Sequence, residues 1–218
     1  MKTRFLPLTL LTVITFAVVA CIPAAAQTLY ENGPINGNTD AWTINLGFVM
    51  SDSFTISTGN STITGMSFGA WLGPGDILDS VEISLTSQAN GGTLYFDGIV
   101  SMTQSGCVLN RYDYDVCTET GIFNGPTLNN GTYWVNLQNA VDNEGQPVYW
   151  DENSGIGCHS PGCPSEAGNG VGSDPSEAFS ILGTASTTTT GSVPEPTSLA
   201  LFASGVVGAA ALLRRKLF

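Results

Sequence analysis

From residue 42 to residue 182 apolar side chains return at every second position in short runs, and each run stops at a cluster of Gly, Asn, Asp or Ser. That is the strand period, not the 3.6-residue repeat of an amphipathic helix. Val81-Glu82-Ile83-Ser84-Leu85 alternates strictly, so one face is buried and the other wet. Tyr133, Val135 and Leu137 repeat the pattern against Trp134 and Asn136. Charged residues make up only 11% of the chain, too few for long amphipathic helices. Expected strands cover residues 42–48, 52–57, 62–72, 80–86, 93–102, 112–117, 132–137, 147–150 and 178–182. The connectors Asn90-Gly91-Gly92 and Asn129-Asn130-Gly131 suit tight turns that need positive φ. These strands predict an all-β domain: a two-layer β-sandwich, jelly-roll-like, with a barrel as the alternative. Residues 51–56 (Ser-Asp-Ser-Phe-Thr-Ile) have an echo at residues 176–181 (Ser-Glu-Ala-Phe-Ser-Ile). Two like strands near the two ends of the domain are expected as neighbours closing one sheet.

The two termini depart from this pattern. Met1-Lys2-Thr3-Arg4 precedes an apolar run and then Ala24-Ala25-Ala26, which reads as a secretory signal peptide over residues 1–26. Val18-Val19-Ala20-Cys21 is also compatible with a lipobox in which Cys21 is lipidated. The β-domain is assigned to residues 27–183, and a Thr/Ser-rich linker to residues 184–192. Val193-Pro194-Glu195-Pro196 then opens a tail with a single hydrophobic helix expected at about residues 198–213, closed by Arg214, Arg215 and Lys216. The apolar stretch is roughly 22 Å long as a helix, short of a ~30 Å hydrocarbon core, so it is a weak membrane tether.

Pro-Glu-Pro, an apolar segment and a terminal Arg cluster on a chain with a signal peptide resemble the PEP-CTERM sorting signal. The resemblance implies recognition by an exosortase, which cuts near Pro-Glu-Pro after signal peptidase has acted at the other end. It implies delivery to the cell surface or exopolysaccharide matrix of a Gram-negative bacterium, with a transient membrane tether. Residues 65–72, 131–140 and 147–155 also resemble a group of exported PEP-CTERM proteins with an ectodomain of unassigned activity. That likeness supports the β reading and supplies no mechanism.

Between the termini Arg111 is the one cation, while seventeen of the eighteen acids lie between Glu31 and Glu177, so the domain carries about −16. Nothing there neutralises phosphates, which excludes nucleic-acid binding. The surface repels anionic polymers and favours neutral partners, cationic partners or divalent metals. Cys107, Cys117, Cys158 and Cys163 suit an oxidising compartment. The expected pairs are Cys107–Cys117 and Cys158–Cys163, with zinc on Cys158, His159 and Cys163 as the competing idea.

One histidine, one arginine and no lysine leave little for nucleophilic catalysis in the domain. No residue is assigned a catalytic role. Carboxylate-based glycan hydrolysis needs only two acids at a set spacing, and no pair is singled out for it. A structural calcium is possible on Asn110, Asp113 and Asp115, or on Asp151, Glu152 and Asn153, because calcium takes hard oxygen ligands in loops. Of Trp42, Trp71, Trp134 and Trp150, the expected sugar platform is Trp134 with Trp150; Trp134 lies opposite the apolar set of its strand. The expectation is a non-enzymatic surface or matrix protein, structural or adhesive in exopolysaccharide or biofilm. A lectin-like carbohydrate-binding module is the alternative, followed by a carboxylate-based hydrolase.

Overall fold

A computed structural model describes residues 26–153, 165–168 and 171–185. The expected signal peptide, Cys21, Cys158, His159, Cys163, most of the linker and the tail with Val193, Pro194, Glu195, Pro196, Arg214, Arg215 and Lys216 lie outside the described residues.

Thirteen strands and no helix are found among the described residues. They are β1 (Gln27–Glu31), β2 (Ala41–Thr43), β3 (Val49–Ile56), β4 (Ser61–Leu72), β5 (Leu78–Gln88), β6 (Gly91–Leu109) and β7 (Asp115–Ile122). β8 (Thr127–Leu128), β9 (Gly131–Asp142), β10 (Tyr149–Asp151), β11 (Ser165–Ala167), β12 (Gly172–Asp174) and β13 (Phe179–Ala185) complete the set. Every pairing is antiparallel, along the path β1-β13-β4-β7-β6-β5-β9-β3-β11-β12, with β10 joining β2 to β4 and β8 also pairing with β4.

The 19-residue β6 turns this sheet into two layers. Its first part pairs with β5, from Gln88↔Gly91 to Ser80↔Ser101. Its second part pairs with β7, from Met102↔Gly121 to Leu109↔Asp115. The sheet therefore curls over itself in a sandwich-like way, and its path ends at β1 and β12 without closing a barrel among the described residues.

The alternation in the sequence puts the core where it is expected. Val81, Ile83 and Leu85 of β5 and Val135 and Leu137 of β9 are fully buried. They meet Met66 and Phe68 of β4 and Phe179 and Ile181 of β13 in one cluster. Full burial of each such side chain contributes about 1.5–3 kcal/mol.

Three expected strands are shorter or shifted. The run over residues 42–48 breaks after β2, because Leu46 and Gly47 take positive φ of 55° and 89°. The run over residues 112–117 begins only at Asp115, since Asp113 sits at φ 64° in a turn. β10 covers Tyr149–Asp151. The two echo segments are not hydrogen-bonded neighbours: β3 pairs with β9 and β11, and β13 pairs with β1 and β4. They meet instead across the layers, where Asp52 Oδ2 accepts from Ser176 Oγ at 3.0 Å and from the Glu177 backbone N–H at 2.8 Å.

Candidate functional site

The turn between β6 and β7 is built from its own side chains. Asn110 Oδ1 accepts from the backbone N–H of Tyr112 (2.9 Å) and of Tyr114 (3.0 Å), an Asx arrangement that closes the hairpin. The β6–β7 register shifts between Ser105 and Val108, and within that bulge Cys107 bonds to Cys117, as its position in the sequence predicts. The disulfide clamps the base of the turn that carries Tyr112 and Tyr114.

Those two tyrosines, with Trp71 of β4 and Tyr149 of β10, line a cavity of about 310 Å³. Trp71 stacks on Tyr112 with ring centroids 5.6 Å apart and 24° between planes. Tyr114 lies 5.9 Å from Trp71 and meets Tyr149 edge-on at 5.5 Å. Burial and a hydrogen bond with Tyr114 push the Tyr149 hydroxyl above the usual phenol range. Thr39, Asp40 and Ala41 complete the lining. Arg111, the lone cation of the domain, covers Tyr112 at 4.6 Å from the ring centroid. Its guanidinium donates to the Asn38 carbonyl at 2.8 Å and to the Tyr112 hydroxyl, tying both walls together. Tyr112 remains 45% exposed, so the cavity opens to solvent.

Asp151 holds this cavity from beneath. Its Oδ1 accepts from Trp71 Nε1 at 2.6 Å and from the Gly37 N–H at 3.0 Å, and its Oδ2 accepts from the Asn36 N–H at 2.8 Å. Burial raises its pKa above the usual carboxylate range, and these donors pull it back down. Gly69 of β4 makes room for this hub: a Cβ there would stand 2.8 Å from both Asp151 Cβ and Ile35 Cγ2. Asp151 is thus a positioning residue for the 36–41 segment and for the Trp71 indole.

Three further acids are fully buried elsewhere. Asp52 accepts from Asn32 Nδ2 (3.0 Å) and the Ser53 N–H (2.6 Å) besides the two donors already given, yet burial still raises it to about 6. Glu177 is fully buried; its Oε1 accepts from Ser165 Oγ at 3.2 Å, and its Oε2 has no hydrogen-bond partner. Glu119 of β7 is also fully buried, both its oxygens lack a partner, and burial raises it to about 7.

The expected sugar platform is corrected in part. Trp150 is fully buried, packed against Phe68 and Phe179 at 6.1 and 5.5 Å, with its Nε1–H given to the Ala178 carbonyl at 3.1 Å. It is core and offers no face to a ligand. Trp134 is half-buried, stands on the outer side of β9 opposite Ser53 and Thr86, and takes no part in lining the cavity. Trp42 is half-buried, edge-on to Phe48.

The expected metal residues do not converge. Asp113 is exposed in its turn, Asp115 Oδ2 accepts from the Gly75 N–H at 2.9 Å, and Asp151 is taken up by its three donors. Asn110 is occupied by the turn. Among the described residues no three His, Cys, Asp or Glu side chains form a ready metal shell. The sequence reading missed Tyr112, Tyr114, Tyr149, Thr39 and Asp40 as a group. The available signal was the alternation of aromatic and polar residues in Arg111-Tyr112-Asp113-Tyr114, which it assigned to a strand.

Residues 192–216 match the PEP-CTERM protein-sorting motif, which indicates an exported protein processed by exosortase. No curated protein and no solved structure is matched by the chain.

Proposed function

We propose that this exosortase-processed protein is a non-enzymatic surface or matrix component of a Gram-negative bacterium that holds a neutral saccharide of the surrounding exopolysaccharide. The observation that carries the reading is the open aromatic cavity formed by Trp71, Tyr112, Tyr114 and Tyr149. Its volume falls at the lower end of the roughly 300–1,000 Å³ range of small-ligand sites. Sugar rings present an apolar C–H face to an aromatic ring and hydroxyls at their edge. Here the rings supply the first partner, and the tyrosine hydroxyls with Thr39 and Asp40 supply the second. The domain's charge of about −16 favours a neutral polymer over an anionic one. An adhesive role in the matrix or biofilm follows from such binding at the end of the export route. The reading is non-enzymatic because the sequence offers the domain a single arginine and histidine and no lysine to build catalysis from.

The test is titration of the full chain, in mild detergent, with neutral oligosaccharides and with the producing cell's own polysaccharide. Tyr112→Ala is expected to weaken binding about tenfold, equivalent to roughly 1.4 kcal/mol. Trp134→Ala is expected to leave it unchanged. Loss on Trp134→Ala with Tyr112→Ala silent would move the site to β9. No saturable binding of any neutral glycan would overturn the reading.

A further inference from the structure

A second acidic site lies next to the aromatic cavity, at the far end of β10. Glu152 and Glu177 face each other across an isolated antiparallel bridge, so their side chains leave the same face. Both are buried. Two more acids border them. Asp174 stands opposite Ser165 in the β11–β12 pair, and Ser165 Oγ bonds Glu177. Asp40 lies one step beyond the Ala41–Asp151 pair, and its carbonyl accepts from the Glu152 N–H at 3.0 Å.

Glu152 and Glu177 thus face each other directly, with Asp174 and Asp40 at adjoining backbone positions. The domain's one arginine is committed to Asn38 and Tyr112 in the cavity wall. Glu177 Oε2 is shut off from water and finds no donor. An ionised carboxylate oxygen only accepts, so it calls for a donor or a cation, and Oε2 has no donor beside it. The electrostatic strain appears in both residues. Burial first, then the charges of Asp40, Asp174 and Asp151, raises Glu152 to about 7. Burial, then Glu152 and Asp52, raises Glu177 well above the carboxylate range. Asp52 differs, because its donors already satisfy it. Two carboxylates with a hydroxyl at hand are hard oxygen ligands of the kind calcium takes, and calcium also accepts carbonyl oxygens and water to fill its shell.

We infer that the Glu152–Glu177 pair, with Ser165 Oγ beside it, holds a divalent cation of the calcium class. This site is separate from the Asp113–Asp115 turn, shares only Glu152 with the cluster expected at residues 151–153, and does not depend on the saccharide reading. Occupancy would cancel the repulsion of the row and brace β10 against the segment that leads into β13. The ion would thus stabilise the fold from the side of the cavity where Asp40 stands.

The experiment uses the full chain in mild detergent, with Tb3+ as luminescent probe, Ca2+ as competitor and a chelator as control. One saturable Tb3+ site, sensitised by tryptophan and emptied by Ca2+, is expected. Saturating Ca2+ is expected to raise Tm by about 5 °C over the chelated protein. Glu177→Gln and Glu152→Gln are each expected to weaken Tb3+ binding at least tenfold, and Asp113→Asn to leave it unchanged. If neither Gln variant folds, the wild-type comparison of Ca2+ against chelator decides alone. An unchanged Tm in the wild type, Tb3+ uptake that never saturates, or a site that survives both Gln substitutions would overturn the proposal.

Discussion

Asp151 and Glu119 are buried acids on strands that pair with opposite edges of β4, and they have opposite surroundings. Asp151, on β10, receives three N–H donors from Trp71, Asn36 and Gly37. Glu119, on β7 between Phe68 and Gln104 in register, receives none. Burial is the leading cause of the raised pKa of both. What differs is whether the fold has been organised around the charge. Asp151 draws together a turn, a strand and an indole that are far apart in sequence, so its charge does structural work on the cavity. Glu119 draws nothing together and stands as a cost inside the core.

The largest expected effect breaks the first half of that contrast. Asp151→Ala leaves two backbone N–H groups and the Trp71 indole N–H without their acceptor. Each buried orphan donor costs about 1–3 kcal/mol, so a loss of about 4 kcal/mol is expected in urea unfolding. Saccharide binding should fall with it, because Trp71 and the 36–41 segment lose their common anchor. Asp151→Asn keeps one acceptor oxygen and is expected to retain part of both. A stability change under 1 kcal/mol for the Ala variant would show that the three bonds are incidental.

The elements that were legible in the sequence are those whose information is local. β4, β5, β9 and β13 announce themselves by alternation because each has one face in the core. The sorting tail is legible for the same reason, since its residues are contiguous. β8, β11 and β12 hold only two or three residues, too few to show a period. β1 was hidden by a register slip between Thr28 and Tyr30 that breaks its alternation. The cavity was not legible, because its walls come from residues 39–41, 71, 112, 114 and 149, and its anchor Asp151 bonds 114 and 115 residues back along the chain. Trp150 misled for a related reason. Composition marks a tryptophan as a ring that can stack, and only the packing of β4 and β13 shows that this one is filled in on every side.

The next effect in size tests the β7 side, where the cavity is held by a covalent bond instead of a charge. Cys117 stands two residues before Glu119 and ties the Tyr112–Tyr114 turn to β6. Replacing Cys107 and Cys117 together with Ser is expected to cost about 2–3 kcal/mol for a loop of this length. Binding is expected to weaken because Tyr112 loses its fixed distance from Trp71. Reduction of the wild type with dithiothreitol should reproduce both changes. Full binding by the Ser pair would show that the Asn110 turn and the Arg111 tie hold the cavity without the disulfide.

The smallest effect concerns Glu119, and its sign is opposite to that of a paired carboxylate. Its folded pKa of about 7 lies above the ordinary value of 4.5. Below pH 4.5 the acid is protonated in both states and adds no penalty. Between pH 4.5 and 7 the unfolded chain releases this proton while the folded chain keeps it, so stability falls as pH rises and levels off above pH 7. The loss is on the order of 2 kcal/mol. Other raised acids contribute in the same direction, so the informative quantity is the difference between wild type and Glu119→Gln across pH 4 to 8. That difference is expected to grow in favour of the variant up to pH 7. Glu119→Leu should go further, because an apolar side chain on the strand position beside the buried Phe68 leaves no oxygen unsatisfied. If both variants track the wild type at every pH, Glu119 has found a partner in solution, and its contrast with Asp151 disappears.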